Sequence, residues 1–188
     1  MRKKMIKTKI DLKKYLMYEK KLYTETPRHL LHLWLIKDEG YSLWRIMHSL
    51  RHLEYHVNNA HYIRSLLWER RKNYLANKCG VIIHPNCAEI GLRIWHAGNI
   101  KIHPDARLGK NCQLHGDNCL GNKGTPMSGA PKIGHNVNVG VGASIIGPIS
   151  IPDNVTIAAN AVVVKTFTKP GIVLAGIPAK EIQKKAAR

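Results

Sequence analysis

The sequence predicts an α+β chain. An N-terminal helical region, residues 1–79, precedes a parallel β-solenoid over residues 80–176 with one extruded loop, and a tail, residues 177–188, forms a short helix. Three observations predict this. Apolar residues before Gly80 recur at three- and four-residue steps, and after Gly80 they recur every six. The six-residue count breaks once, at a Gly- and Pro-rich stretch near 121–132.

In the helical region, Leu43, Ile46, Met47, Leu50, Leu53, Val57, Ala60, Ile63 and Leu67 trace the stripe of an amphipathic helix. Lys and Arg fill much of the rest, and Asn77 with Gly80 supplies a stop. A shorter helix is expected before Pro27 and another over 28–37. His48, His52 and His56 fall at i, i+4 and i+8, a spacing that can ligate a metal. The order is not HExxH and no cysteine stands nearby, so a solvated or interhelical polar face is expected and no metal.

After Gly80, every sixth residue from 90 reads Ile90, His96, Ile102, Leu108, Leu114 and Leu120, and a second phase reads Ile133, Val139, Ile145, Ile151, Ile157 and Val163. Four residues after each lies a second slot, filled by Ile94, Ile100, Ala106, Cys112 and Asn118, then Val137, Ala143, Ile149, Val155, Ala161 and Phe167. A fixed short period is the mark of a solenoid. Three short strands close one triangular coil of about 18 residues. One aliphatic side chain per strand points inward, and Gly, Asn and Asp supply the backbone angles of the corners. On this count His96 takes an inward slot, and His115, 19 residues on, stacks near it. The stretch GNKGTPMSGAPK cannot continue the strands and reads as a loop thrown out from the coil.

The totals agree. An apolar fraction of 44% suits a packed core, and a single Phe, Phe167, implies thin aliphatic layers rather than aromatic ones. Net charge is +18, and residues 1–78 hold 18 Lys/Arg against 7 Asp/Glu. Such an excess attracts polyanions. No nucleic-acid motif accompanies it, and no nucleic acid is expected. The opening RKKMIKTKIDLKK reads as a solvated basic face, with peripheral association with an anionic membrane face as the sharper alternative. Met1–Leu16 lacks an apolar core segment, the apolar runs are too short for a membrane span, and the four cysteines form no CxxC pair. A reduced, cytoplasmic chain is expected.

The hexads, the loop and the closing VVVKTFTKPGIVLAGIPAKEI together resemble the hexapeptide-repeat acyltransferases, above all serine acetyltransferase and its capsule and glycan O-acetyltransferase relatives. IGLRIWHAGNIKI is similar to that family's catalytic-histidine segment, LGNKGTPMSGAPKIGHNVNVGVGASIIG to its loop and following coils, and AGIPAK to its closing signature. The resemblance covers residues 80–182 closely. It implies a left-handed parallel β-helix, acetyl transfer from acetyl-CoA to a hydroxyl, and a homotrimer, with pairing into a dimer of trimers left open. His96 becomes the general base, and His115 a second catalytic or acceptor-contacting histidine. Asp117 and Asn118 lie at the acceptor. The cofactor lies along Gly140, Gly142, Ala143, Ala158, Ala159 and Gly176, with Lys165 and Lys180 at its phosphates. Glu89, Asp105 and Asp117 are the candidates to orient His96.

Two departures bear on the acceptor. Trp95 stands where the serine enzymes carry an aspartate, and Gly129 and Ala130 stand where they carry an Arg-His pair. The acid expected one coil before the histidine falls near Ile82. An indole at Trp95 is a stacking platform for a sugar ring or, equally, interface packing. The expected acceptor is therefore a sugar or glycan hydroxyl. Serine is the alternative, and an inactive β-helix serving as an assembly module the third reading.

Overall fold

The computed structural model describes residues 5–24, 27–125 and 128–182. Four helices come first: α1 (Lys9–Tyr23), α2 (Pro27–Leu35), α3 (Glu39–Asn58) and α4 (Tyr62–Lys78). Helix α1 starts on a capping box, in which the Thr8 hydroxyl accepts from the Asp11 N–H and the Asp11 carboxylate accepts from the Thr8 N–H. Asp38 caps α3 by accepting from the Gly40 N–H at 2.7 Å.

The single long stripe expected from the sequence is divided between two helices. The chain turns at Asn59–His61, where Ala60 adopts φ +56°, and α4 folds back along α3. Leu43, Ile46, Met47, Leu50 and Leu53 of α3 are buried, whereas Val57 near the end of α3 and Ile63 and Leu67 on α4 are exposed. A three-to-four spacing carries across a turn when the next helix happens to begin in phase, so periodicity alone did not reveal the break.

The second half is built of short strands: β1 (Val81–Ile82), β2 (Arg93–Ile94), β3 (Ile100–Ile102), β4 (Arg107–Leu108), β5 (Gln113–Leu114), β6 (Cys119–Gly121) and β7 (Lys132–Ile133). They continue as β8 (Asn138–Val139), β9 (Ser144–Ile146), β10 (Ser150–Ile151), β11 (Thr156–Ile157), β12 (Val162–Val163), β13 (Val173–Ala175) and β14 (Lys180–Ile182). They form three faces, ordered β1-β3-β6-β9-β12, β10-β7-β4 and β14-β13-β11-β8-β5-β2, all paired in parallel except the last step. This is a triangular parallel β-helix. Its axis is filled by stacked aliphatic side chains, with Leu114, Leu120, Val139, Ile145 and Val163 all fully buried. Each contributes about 1.5–3 kcal/mol by leaving water. Asn111, Asn136, Asn154 and Asn160 take positive φ at the corners, as the turn chemistry anticipates, and Asn111, Asn136 and Asn154 hydrogen-bond up one edge. The loop leaves after Gly121 and returns at Lys132.

The tail departs from expectation. Residues 180–182 are not helical but form β14, antiparallel to β13. The last coil would otherwise leave an open edge of backbone donors and acceptors. A turn through Gly176 (φ +95°) brings the chain back to pair with it. Residues 183–188 lie outside the described residues, as do residues 1–4, which include the first three of the basic opening segment.

The two halves are fastened by buried polar contacts. Arg51 on α3, fully buried, donates to Glu19 on α1, to Glu54, and to the backbone carbonyls of Ala88 and Glu89 in the first coil. Burial works against its charge, but the two carboxylates outweigh that and keep the guanidinium protonated. Lys72 on α4 donates to the Ile83 carbonyl at 2.8 Å. No helix among the described residues is long and apolar enough to cross a membrane.

Candidate active site

His96 does not occupy the inward slot that counting by six gave it. Ile94 is the residue inside, paired with Leu114 twenty positions on, while Ile102 pairs with Leu120 eighteen positions on. The first coil therefore carries two extra residues between β2 and β3. The surplus is thrown outward as the corner Trp95–Asn99, and the His96 side chain is 62% exposed. The hexad count had landed on Ile90 and His96 because a two-residue insertion shifts the phase without removing the aliphatic pattern on either side. The inward residues of this coil are Ala88, Leu92, Ile94, Ile100 and Ile102, all buried.

The carboxylate against His96 is none of the three expected from the sequence. It is Glu39, the first residue of α3. Its Oε1 lies 2.8 Å from Nδ1 of the imidazole, and its Oε2 accepts from the Ala97 N–H at 3.1 Å. The hydrogen bond from His96, then that from Ala97, hold the Glu39 carboxyl below the usual carboxylate range. Asp117 instead accepts from the Asn99 N–H at 2.8 Å and braces the corner from the next coil. Asp105 sits beside His103, and the backbone carbonyl of Glu89 meets Arg51. Nothing local in the sequence flagged Glu39, which is 57 positions from His96. Its position directly after a helix cap was the only available signal.

His115 stacks on Trp95 rather than on His96, with ring centroids 5.5 Å apart and planes 17° from parallel. Gly116 is the residue opposite His96, where a Cβ would lie 3.6 Å from that of the histidine. The Nε2 of His115 is buried and has no hydrogen-bond partner among the described residues. The indole of Trp95 is engaged within the chain. Its Nε1 donates to Gln113 at 2.9 Å, and the Arg93 guanidinium lies 3.3 Å from the ring centroid. A ring face covered in this way is not open to a sugar.

Two other expected site residues are interior. Asn118, fully buried, donates to the Gly140 carbonyl at 2.7 Å and accepts from the Gly116 N–H at 3.1 Å, so it bridges coils and does not face an acceptor. Ala143 is fully buried inside the prism and cannot line a cofactor groove. Both sit in the second slot of the repeat, which points inward. Gly140 is required by coil stacking, because a Cβ there would lie 2.6 Å from the Ala159 backbone nitrogen. Gly142, at φ +72°, packs against the Asn160 side-chain oxygen. Ala158 is partly exposed, and Ala159, Lys165, Gly176 and Lys180 lie on the surface of the last coils. His48 and His52 pack against Trp68 of α4, an interhelical role.

No family model matches the sequence. The serine acetyltransferase of Mycobacterium tuberculosis is 35% identical over 140 residues, spanning 68% of this chain and 59% of that protein. That of Staphylococcus aureus (strain Mu50) is 30% identical over 145 residues, spanning 71% and 67%. Among solved structures, the Neisseria gonorrhoeae serine acetyltransferase in complex with serine is 27% identical with a TM-score of 0.66, covering 93% of this chain and 70% of that one. The Brucella abortus serine acetyltransferase in complex with coenzyme A superposes at a TM-score of 0.70 with 20% identity, a likeness of fold covering 96% and 71%. The chain thus spans about 59–67% of the length of these curated relatives. These findings overturn the expected glycan acceptor and a role in polysaccharide synthesis, since the relatives are serine acetyltransferases and the Trp95 ring that suggested a sugar is already packed. The chain belongs to the hexapeptide-repeat, left-handed β-helix acyltransferases, in the company of the serine acetyltransferases.

Proposed function

We propose that this protein transfers the acetyl group of acetyl-CoA to the hydroxyl of serine, with His96 as general base. The observation that supports the chemistry is an exposed imidazole tied down at Nδ1, which leaves Nε2 facing outward. The acceptor rests on the relatives, which are named for serine. His96 takes the serine hydroxyl proton as that oxygen bonds to the thioester carbonyl carbon. The carbon–sulfur bond then breaks, and the same proton passes to the departing thiolate. A group that must both take and return a proton near neutrality is well served by imidazole. Backbone N–H groups of the adjacent coils are the donors within the fold for the carbonyl oxygen as it gains charge.

The pantetheine arm runs past Gly140, Gly142, Ala158, Ala159 and Gly176, and Lys165 and Lys180 meet the phosphates. A histidine this exposed on a single prism gains a wall when copies associate, which supports a homotrimer with sites between neighbours. The exposed Tyr62, Ile63, Leu66 and Leu67 on α4 favour further pairing through the helical halves. His115, half-buried and stacked on Trp95, shapes the site wall. Because Trp95, Gly129 and Ala130 replace the acid and the Arg-His pair of the serine enzymes, the serine KM is the parameter expected to differ. The test is thiol release from acetyl-CoA with serine as acceptor. Wild-type protein forms O-acetylserine, and His96→Ala lowers kcat by about 10²–10⁴-fold. Turnover retained in that variant would overturn the assignment.

A further inference from the structure

We infer that Glu39 is the positioning residue of the acetyl-transfer site, so that the helical half supplies part of the reaction machinery. The inference rests on the reading of His96 as base. An ionised carboxylate only accepts hydrogen bonds, so the 2.8 Å contact requires the proton of a neutral His96 to sit on Nδ1. That leaves the Nε2 lone pair free and outward, which is the form a base must have.

The second oxygen of the same carboxylate holds the Ala97 N–H, so Glu39 fixes the backbone of the corner as well as the ring. Both anchors are rigid. Asp38 caps α3 one residue before Glu39, and Leu43, Trp44, Ile46 and Met47 bury the same helix against the first coil. The corner that presents His96 exists because of the two surplus residues between β2 and β3, and Asp117 braces it at Asn99 from the next coil. An outward bulge alone would leave the imidazole free to turn. A bulge clamped by a carboxylate from a helix does not. The position one coil before His96 offers no acid, since Ile82 is aliphatic and its neighbour Val81 is buried. The helix takes over what the prism lacks.

Two readouts test this. The ¹⁵N shifts of the His96 ring report its tautomer, and steady-state kinetics with serine and acetyl-CoA report turnover, each for wild type, Glu39→Ala and Glu39→Gln. Wild type is expected to hold the proton on Nδ1. Glu39→Ala should move it toward Nε2 and lower kcat by about 10²-fold, with serine KM within about twofold. Glu39→Gln keeps an oxygen to accept from Nδ1 but removes the charge. It should keep the tautomer, fall between the other two in kcat, and displace the acid limb of the pH–rate profile. The titratable groups facing that site are Glu39 itself, the Cys79 thiol at the end of α4 and Asp117 from the adjoining coil. An Ala variant with lowered kcat and an unchanged tautomer would make Glu39 merely structural and overturn the inference. So would an Ala variant with wild-type kcat and tautomer while His96→Ala is inactive. If His96→Ala remains active, the base assignment fails instead, and the two failures are told apart.

Discussion

Replacing Arg51 with Met should cost about 4 kcal/mol of stability. The guanidinium is fully buried and makes three charge-assisted bonds to Glu19 and Glu54 at 2.7–3.0 Å, and two more to the carbonyls of Ala88 and Glu89 at 2.9 and 3.1 Å. Methionine fills much of the volume but satisfies none of these acceptors. It strands two carboxylates whose side chains have no exposure. Removing one partner of such a buried pair costs about 3–5 kcal/mol, because the charge left behind has neither water nor a counter-ion. For a chain of this size that corresponds to a fall in Tm of roughly 10 °C. The control is Arg51→Met combined with Glu19→Gln and Glu54→Gln. It removes the charges yet leaves amide oxygens to accept from the Gly91 and Asn86 N–H groups, as the carboxylates do now. Urea unfolding followed by circular dichroism reads all of these. The triple variant should recover most of the loss. A single variant within about 1 kcal/mol of wild type, or a triple variant no better than the single, would refute the account.

Two further outcomes are expected. Asn118→Ala removes the side chain that joins Gly116 to Gly140, leaving the buried Gly116 N–H without its acceptor while the Gly140 carbonyl keeps the Ala143 N–H, and should cost about 2 kcal/mol in the same unfolding assay. Acid should loosen the packing of α3 on α4. Burial, then the charges of His48, His56 and Arg71, push His52 down to about 4, and burial also lowers His48 and His56. A histidine depressed in this way stabilises the fold above its unfolded value of about 6.5. That contribution is lost as pH falls toward the folded value, since the unfolded chain binds the proton first. Tm should therefore drop as pH falls below about 6.5, and His52→Phe, which keeps a ring against Trp68, should flatten part of the slope. Identical slopes would remove His52 from the cause.

The fold was legible in the sequence for a simple reason. A prism one side chain wide admits one kind of residue at each inward position, so the aliphatic run from Leu108 onward writes the coils directly. The Asn corners and the extruded loop were legible on the same grounds, since few residues take a positive φ at low cost and irregular text cannot pair as strands. The break between α3 and α4 was not, because Ile63 and Leu67 continue a stripe that the structure leaves exposed. Nor was the acceptor, because Trp95 is an aromatic whose ring looks free until Arg93 and His115 are placed around it.

The sequence by itself determined that the second half winds into a β-helix, because that follows from a short-range rule about which side chains a repeat tolerates, whereas the six-residue count placed His96 in an inward slot that it does not occupy. Only the tertiary structure decided where that histidine points and what holds it. His96 faces outward because two surplus residues, visible only once Ile94 is paired with Leu114, push the corner off the prism. It is clamped by Glu39 because a helix packed through its own apolar face delivers a carboxylate across 57 positions of chain. No local pattern encodes such a meeting, which is fixed by how two independently readable halves pack together.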